Sequence, residues 1–212
     1  GLGKMGTPMA INIQKTGYPM VVYDAREEAA IPMLEGGAKL ADSPAATAEL
    51  SDIVMTCLPR PQVVEEVVTG SGGILDGIRQ GSVYIDMSTC GPGLIRRLEP
   101  LFNAKGAHVL DAPVLSSPLD APGKSVIVMV GGEKHIFDSL FPMFEAFADK
   151  VVYTGGLGTA NICKVVHNMT TVAMQQVVAE GLTLGVKAGV DLETLLESGG
   201  RGPIGASEER LT

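Results

Sequence analysis

Gly1-Leu2-Gly3-Lys4-Met5-Gly6 opens the chain as a G-x-G-x-x-G turn, and Met9, Ala10 and Ile13 continue it at helical spacing. Glycines let the backbone approach a pyrophosphate closely, and the following helix directs unpaired N–H groups at its negative charge. Residues 18–24 are predicted as a strand whose final acid lies roughly 20 residues beyond the turn. The alternative is a chance glycine turn, since 27 of the 212 residues are glycine. The spacing favours a dinucleotide site.

The acid that ends this strand bears on the choice of cofactor. Asp24 is placed to hold the adenosine ribose hydroxyls of NAD, and its charge disfavours the 2′-phosphate of NADP. Arg26 lies two residues further on and could pair with such a phosphate, and Ala25 lies between them as a further cofactor-binding residue. NAD is therefore the expected cofactor, and NADP remains open.

The start of the chain carries a further expectation. A dinucleotide turn follows a buried apolar strand, and no residue precedes Gly1 in the sequence. We expect that this first strand is missing and that the chain is trimmed at its start. Such a strand is buried on both faces, so its loss would expose a large apolar surface.

Composition excludes several classes of function. The formal net charge is −8, which argues against nucleic acid and against an anionic membrane surface. The sequence contains no uncharged run of about 20 apolar residues, so no membrane-spanning helix is expected. Cys57, Cys90 and Cys163 have neither metal-ligand spacing nor a disulfide pattern. We expect a cytoplasmic protein without a bound metal.

Short apolar strands alternate with helical patterns as far as Thr154, and two of the predicted helices span residues 27–35 and 61–69. This alternation predicts an α/β fold of the Rossmann type, with a doubly wound, mostly parallel sheet. Residues 1–154 are the predicted NAD(P)-binding domain. Residues 159–188 read as one long helix that links domains or subunits, and Asp191 is a plausible N-cap of the next helix. Residues 155–212 are predicted as the truncated start of an all-α domain.

Lys164 is the first candidate for chemistry. It lies among apolar residues of the long helix, and His167, Asn168 and Thr171 share its helical face. An ammonium in a partly apolar cleft loses hydration, its pKa falls, and it can then act as a general acid or base. Spacing alone leaves a solvated stripe with an ordinary lysine equally open.

Several predicted strand ends offer further candidates, since ligands bind at the carboxyl ends of parallel strands. Ser88 and Thr89 could donate to a cofactor or a substrate carboxylate, or could cap the next helix. Leu58-Pro59 could pack on the cofactor or only terminate its strand. Ser116 and Ser117 lie in another such loop, where hydroxyl and N–H groups could hold a small carboxylate.

These segments, in this order, resemble the β-hydroxyacid dehydrogenase family, which includes 3-hydroxyisobutyrate, tartronate semialdehyde and 6-phosphogluconate enzymes. The opening turn with Met9-Ala10 matches the family's G-L-G-x-M-G-x-x-M-A start. Residues 86–92 match its D-x-S-T-x-x-P element, and residues 111–114 with 129–132 match its D-A-P-V and M-V-G-G elements. Gly155, Gly158 and Lys164 match its G-x-x-G-x-G-x-x-x-K element, with Ala160 in place of one glycine.

The resemblance implies an NAD(P)-dependent dehydrogenase or reductase acting on a small β-hydroxy acid or its semialdehyde or keto form. Lys164 falls on the family's proton-transferring lysine, Asn168 on its substrate-orienting amide, and His167 stands where many members carry asparagine. Thr89 and the pair Leu58-Pro59 fall on cofactor-contacting positions.

Departures from the family pattern leave the substrate open. The sequence Leu115-Ser116-Ser117 replaces the family's Ser-Gly-Gly substrate loop. A sugar-acid or imine-acting relative therefore stays possible, as does a non-catalytic dinucleotide-binding module for assembly. The half-covered apolar helix predicts a homodimer or homotetramer.

Overall fold

The computed structural model of the chain describes residues 1–115 and 126–199. The chain divides into two compact units, Gly1–Lys164 and Val165–Thr212. The boundary falls within one long helix, so that helix contributes its first residues to one unit and the remainder to the other.

The first unit alternates strands and helices, and a 3₁₀ turn at Glu27–Ala30 leads into its second helix. Its elements in chain order are α1 (Gly6–Lys15), β1 (Val21–Val22), α2 (Ile31–Glu35), β2 (Lys39–Leu40), α3 (Pro44–Glu49), β3 (Ile53–Thr56), α4 (Pro61–Thr69), α5 (Ile74–Gly77), β4 (Val83–Asp86), α6 (Pro92–Asn103), β5 (His108–Asp111), β6 (Val114–Leu115), β7 (Ile127–Gly132), α7 (Lys134–Glu145), β8 (Lys150–Gly155) and the start of α8 (Thr159–Lys187).

The strands of the described residues form two sheets. β1 and β2 pair in parallel, and the larger sheet has the order β3-β4-β5-β7-β6, with β8 also paired to β7. β3, β4 and β5 are parallel, whereas β7 is antiparallel to both β5 and β6. The parallel register places Asp86 beside Asp111 at the carboxyl ends of β4 and β5. The predicted Rossmann-type, mostly parallel sheet is confirmed.

Alternation along the strands produces a core on each face of the larger sheet. Tyr84 packs in one buried cluster with Phe102 of α6, and their rings stack at 4.7 Å between centroids. Its neighbour Ile85 belongs to the other cluster, with Phe137 and Phe144 of α7. Successive side chains of a strand point to opposite faces, so helices cover both faces, as in a doubly wound fold.

A largely apolar cavity of about 550 Å³ lies beside the opening turn. Residues of β1 and of β3 both line it, as do Met9 and Ile13 of α1. Among the described residues, β1 and β3 form no ladder with one another.

Two strands and two helices were not predicted from the sequence, namely β2, β6, α3 and α5. β2 and β6 have only two residues each, too few to show a period. α3 does carry a recognisable signal, because the Ser43 hydroxyl accepts the N–H of Ala46 at 3.0 Å as an N-cap. The predicted helix at residues 27–35 is α-helical only from Ile31, because residues 27–30 form a 3₁₀ turn.

The second unit contains the remainder of α8 and α9 (Leu192–Gly199). Asp191 caps α9, since its Oδ2 accepts the N–H groups of Glu193 and Thr194 at 3.0 and 3.3 Å, as predicted. A Cβ at Gly185 would lie 2.6 Å from Leu195, so the glycine lets α8 and α9 pack closely. In the part of the chain that the structure describes, none of the helices has the length and apolar character needed to cross a bilayer.

Candidate active site

The opening turn packs backbone against backbone. A Cβ at Gly6 would lie 2.1 Å from the carbonyl oxygen of Gly1, and one at Gly1 would lie 2.6 Å from that of Cys57, directly after β3. Real side chains do not tolerate such distances, so glycine is required at both positions. The Thr7 hydroxyl adds a bond to the carbonyl of Leu2 at 2.8 Å.

Asp24 fastens this turn to the end of β1. Its Oδ2 accepts the N–H of Leu2 at 2.7 Å, and its Oδ1 accepts the N–H of Arg26 at 3.0 Å. Burial raises the pKa of Asp24, but these two backbone donors, together with the positive charges of the terminal amino group and of Arg26, leave that pKa below its ordinary value. The Arg26 Nε lies 3.8 Å from Oδ1. Asp24 is therefore an ionised carboxylate at neutral pH, at the position expected for a ribose ligand.

The turn fits a dinucleotide phosphate. A Cβ at Gly3 would meet no atom within 4 Å, so open space adjoins this glycine. Met5, the residue before α1, provides no side-chain cap. Apart from the N–H of Thr7, which donates to the carbonyl of Gly3 at 3.0 Å, the first amide groups of the helix are therefore available to an anion. Lys4, beside Gly3, is exposed and adds positive charge.

The loops after β3 and β4 are joined by a hydrogen bond. The buried Ser88 hydroxyl accepts the N–H of Leu58 at 2.9 Å, and the next residue, Thr89, is exposed. Pro59 is exposed too, and Leu58 is half-buried. The structure thus brings Ser88 and Leu58 together, and gives Ser88 a partner within the protein that the sequence did not predict.

Lys164 lies near the start of α8, at the end of the first unit. It is half-buried, and it forms no hydrogen bond or ion pair with any residue that the structure describes. Burial lowers the pKa of its ammonium, as predicted for a partly desolvated lysine. This amine can therefore exchange a proton closer to neutral pH than a surface lysine can.

The remaining candidates occupy other places. His167 and Asn168 follow on α8 within the second unit, and both are exposed. Leu115 ends β6 and is half-buried. Ser116 and Ser117 lie outside the described residues. No group of three His, Cys, Asp or Glu side chains suited to a metal ion occurs within residues 1–115 and 126–199.

Two buried acids were not predicted as site residues. Asp86 and Asp111 end neighbouring strands and are both fully buried, and Asp111 contacts Asn161 at the start of α8. The signal for the acids was available, because a charged residue closing an apolar strand must find partners when it is buried. Asn161 had no such signal, since it follows Asp111 by 50 residues.

Comparison with known proteins agrees with this geometry. The model of the NAD-binding domain of 6-phosphogluconate dehydrogenase matches residues 1–155. Mitochondrial 3-hydroxyisobutyrate dehydrogenase of Mus musculus is 36% identical over 195 residues, covering 92% of this chain. 2-(Hydroxymethyl)glutarate dehydrogenase of Eubacterium barkeri is 32% identical over 93% of the chain. The structure of Mycobacterium tuberculosis 3-hydroxyisobutyrate dehydrogenase with L-serine superposes with a TM-score of 0.85 at 29% identity, over 94% of this chain and 67% of that one.

The chain covers only part of these relatives' lengths. The match spans 58% of the mouse dehydrogenase and 65% of the Eubacterium one.

Proposed function

The chain belongs to the β-hydroxyacid dehydrogenase family, and from that premise we propose that the protein is an NAD(P)-dependent oxidoreductase. It transfers a hydride between the cofactor and a small β-hydroxy acid or the corresponding semialdehyde or keto acid. The observation that carries this proposal is Lys164, a half-buried amine with a lowered pKa and without a partner among the described residues. Such an amine suits proton transfer at a substrate hydroxyl.

The cofactor-binding residues follow the opening turn and the strand ends. The turn residues would hold the pyrophosphate, and Asp24 would hold the ribose hydroxyls. Ala25 and Arg26 would line the adenosine end of the cofactor. The rest of the dinucleotide would contact Leu58, Pro59 and Thr89. The nicotinamide, when bound, supplies the hydride chemistry. NAD is preferred because Asp24 is ionised and repels a 2′-phosphate, although Arg26 lies close enough to soften that repulsion.

Lys164 performs the proton chemistry in this proposal. Its Nζ accepts the hydroxyl proton during oxidation and returns it to the carbonyl oxygen during reduction. Asn168 and His167 orient that oxygen, and Ser88, Leu115, Ser116 and Ser117 form the substrate-binding set. Because a general acid or base must gain and lose a proton at working pH, the lowered pKa of Lys164 supports the role.

The test is the variant Lys164→Ala in the complete protein. Turnover should fall by about 10²–10⁴-fold, the usual contribution of a positioned acid or base, while the Kd for NAD changes little. Lys187→Ala is the matched control, because Lys187 ends the same helix. Unchanged turnover in Lys164→Ala would refute the proton-transfer role, and loss of NAD binding would assign the lysine to the cofactor instead.

A substrate panel separates the alternatives. With NAD as cofactor, turnover of β-hydroxy acids should exceed turnover of sugar acids and of cyclic imines. With β-hydroxy acids as substrates, turnover with NAD should exceed turnover with NADP. Preference for an imine would move the protein to the imine-acting branch. NAD binding without turnover of any substrate would favour a non-catalytic module.

Assembly and location are part of the same proposal. α8 exposes Met169, Val172, Val177 and Leu184 by 63–71%, which favours a homodimer or homotetramer over an isolated chain. Light scattering of the complete protein measures this. A cytoplasmic location remains a prediction from the three free cysteines.

A further inference from the structure

We propose that Asp111 and Asn161 are positioning residues for Lys164, and that together they fasten the start of α8 to the loop after β4. The proposal rests on the proton-transfer role of Lys164 proposed above. Neither residue acts on substrate. Their part is to fix where the amine lies relative to the strand ends.

Asp111 forms a fully buried cap at the start of α8. Its Oδ1 accepts the N–H of Gly158 at 2.7 Å, and its Oδ2 accepts both the backbone N–H and the side-chain amide of Asn161 at 2.8 and 3.1 Å. A carboxylate at a helix N-terminus also interacts favourably with the helix dipole. The first turn of α8 is therefore held by an acid that belongs to β5.

Asn161 carries the link further. Its side chain is fully buried, and its Oδ1 accepts the N–H of Cys90 at 3.0 Å while its Nδ2 donates to Asp111. A reversed amide would set an NH₂ group against the N–H of Cys90, so the orientation is fixed by both partners. Cys90 directly follows Thr89, so one side chain joins β5, α8 and the loop predicted to contact the cofactor.

The surroundings leave this junction little freedom. A Cβ at Gly131 of β7 would lie 2.5 Å from the Asp111 Oδ1 and 2.9 Å from the Thr159 hydroxyl. The Arg96 Nε, from α6, donates to the carbonyl of Leu157 just before α8 at 3.0 Å. The start of α8 is thus in contact with β5, β7 and α6 at once.

Lys164 lies three residues after Asn161 on the same helix, so the two share one side of it. A rigid helix transmits any shift of its first turn to the lysine. A misplacement of about 1 Å at a reacting group can cost 10²-fold in rate. The junction therefore bears on catalysis as well as on folding.

The test is Asn161→Ala, which removes the bonds to Cys90 and from the side chain to Asp111 but keeps the backbone bond. In the complete protein we expect kcat to fall by about 10–100-fold with less than a threefold change in the KM for NAD. A second measurement uses the cofactor-free protein, in which the pH dependence of labelling of the Lys164 amine reports its pKa. That pKa should move back towards the ordinary lysine value, because the released turn lets water reach the amine.

Thr159→Val is the matched control. The Thr159 hydroxyl bonds to Thr154 and to the carbonyl of Gly156 at the same helix start, at 2.8 and 2.7 Å, without reaching the loop after β4. The Thr159→Val variant should lower Tm while leaving the labelling pKa of Lys164 unchanged.

The outcomes separate the two proposals. If Asn161→Ala lowers only Tm, with kcat and the labelling pKa unchanged, the positioning role is wrong and the junction is structural. If Lys164→Ala retains turnover, the proton-transfer role of Lys164 fails, while the labelling pKa of Lys164 in Asn161→Ala still tests the junction. If Asn161→Ala does not fold, kcat and the labelling pKa are measured on Asn161→Ser instead, because serine keeps one hydrogen-bonding group.

Discussion

Asp86 and Asp111 occupy equivalent places on neighbouring strands, yet their surroundings differ. They are register partners in the parallel pair β4–β5, and both side chains are fully buried. Asp111 accepts three hydrogen bonds from the start of α8. The Asp86 Oδ2, in contrast, has no hydrogen-bond partner in the part of the chain that the structure describes. Because both carboxylates are equally buried, the number of hydrogen-bond donors around each one decides how well its charged form is stabilised.

Asp86 is the less satisfied of the two. Its Oδ1 accepts the Thr56 hydroxyl and the N–H of Ser88, each at 3.0 Å. Burial raises the pKa of Asp86, and the hydrogen bonds offset this only in part. Burial, with the nearby Asp86 charge, also raises the pKa of Tyr84 well above its ordinary value and that of Cys90 to about 12. The ionised form of Asp86 is therefore less well stabilised than it is in water, whereas Asp111 is surrounded by donors suited to a carboxylate.

The largest expected effect comes from Asp111→Asn. The amide replaces one acceptor oxygen by an NH₂ group, which must then face the N–H of Gly158 or the N–H groups of Asn161. Leaving buried donors unpaired costs about 2–4 kcal/mol of the free energy of unfolding. Urea denaturation of the cofactor-free protein measures this, and Asp138→Asn, at an exposed ion pair of α7, is the control, with a change within about 0.5 kcal/mol. A loss no larger than that of the control would contradict the capping role.

The same substitution at Asp86 should behave differently. The folded-state pKa of Asp86 is raised, so its neutral form is stabilising and that stability is lost as pH rises from the ordinary value near 3.8 through the raised value. Asp86→Asn is neutral at every pH. The free energy of unfolding of Asp86→Asn, relative to that of the wild type, should therefore rise by up to about 1.4 kcal/mol per pH unit across that window. Above the window this difference should stay constant.

Denaturation at several pH values between 4 and 8 tests this difference. A constant offset, meaning the same difference in the free energy of unfolding between Asp86→Asn and the wild type at every pH, would show that Asp86 titrates in the folded protein as it does in the unfolded chain. An offset that shrinks with rising pH would reverse the assignment of the raised pKa.

The smallest effect should come from Tyr84→Phe. The Tyr84 hydroxyl contacts the Thr56 hydroxyl at 2.8 Å, and Thr56 still has the Asp86 Oδ1 as its acceptor when the phenol is removed. The ring keeps its stacking on Phe102, so only one hydrogen bond is lost. A loss of about 1 kcal/mol is expected in the same denaturation assay. A loss of more than about 3 kcal/mol would mean that the phenol holds the Asp86 region together.

The sequence predicted those parts of the fold that local signals specify. α4 begins and ends where predicted, because Pro61 sets its first turn and Gly70 follows its end. The antiparallel course of β7 was not predicted, since its pairing with β5 depends on contacts that no local pattern encodes.

The candidate site divides in the same way. The structure joins Asp24 to the opening turn through the N–H of Leu2, while the role of Asp24 as a ribose ligand stays a prediction. Ser88 is predicted to donate to a ligand or to cap the next helix, and the structure adds a bond that neither interpretation includes, in which its hydroxyl accepts the N–H of Leu58. The junction of Asp111 with Asn161 joins residues far apart in the chain, and only the folded arrangement of β5 and α8 brings them into contact.

The close backbone contacts of the opening turn have a consequence for ligand affinity. Gly1 and Gly6 are fixed by the carbonyl groups next to them, and Leu2 is held by Asp24, before any cofactor arrives. A loop that is already in its binding conformation loses little conformational entropy on association. Mutations that loosen this turn should therefore weaken cofactor binding through the entropy of ordering, even where no contact with the ligand is removed.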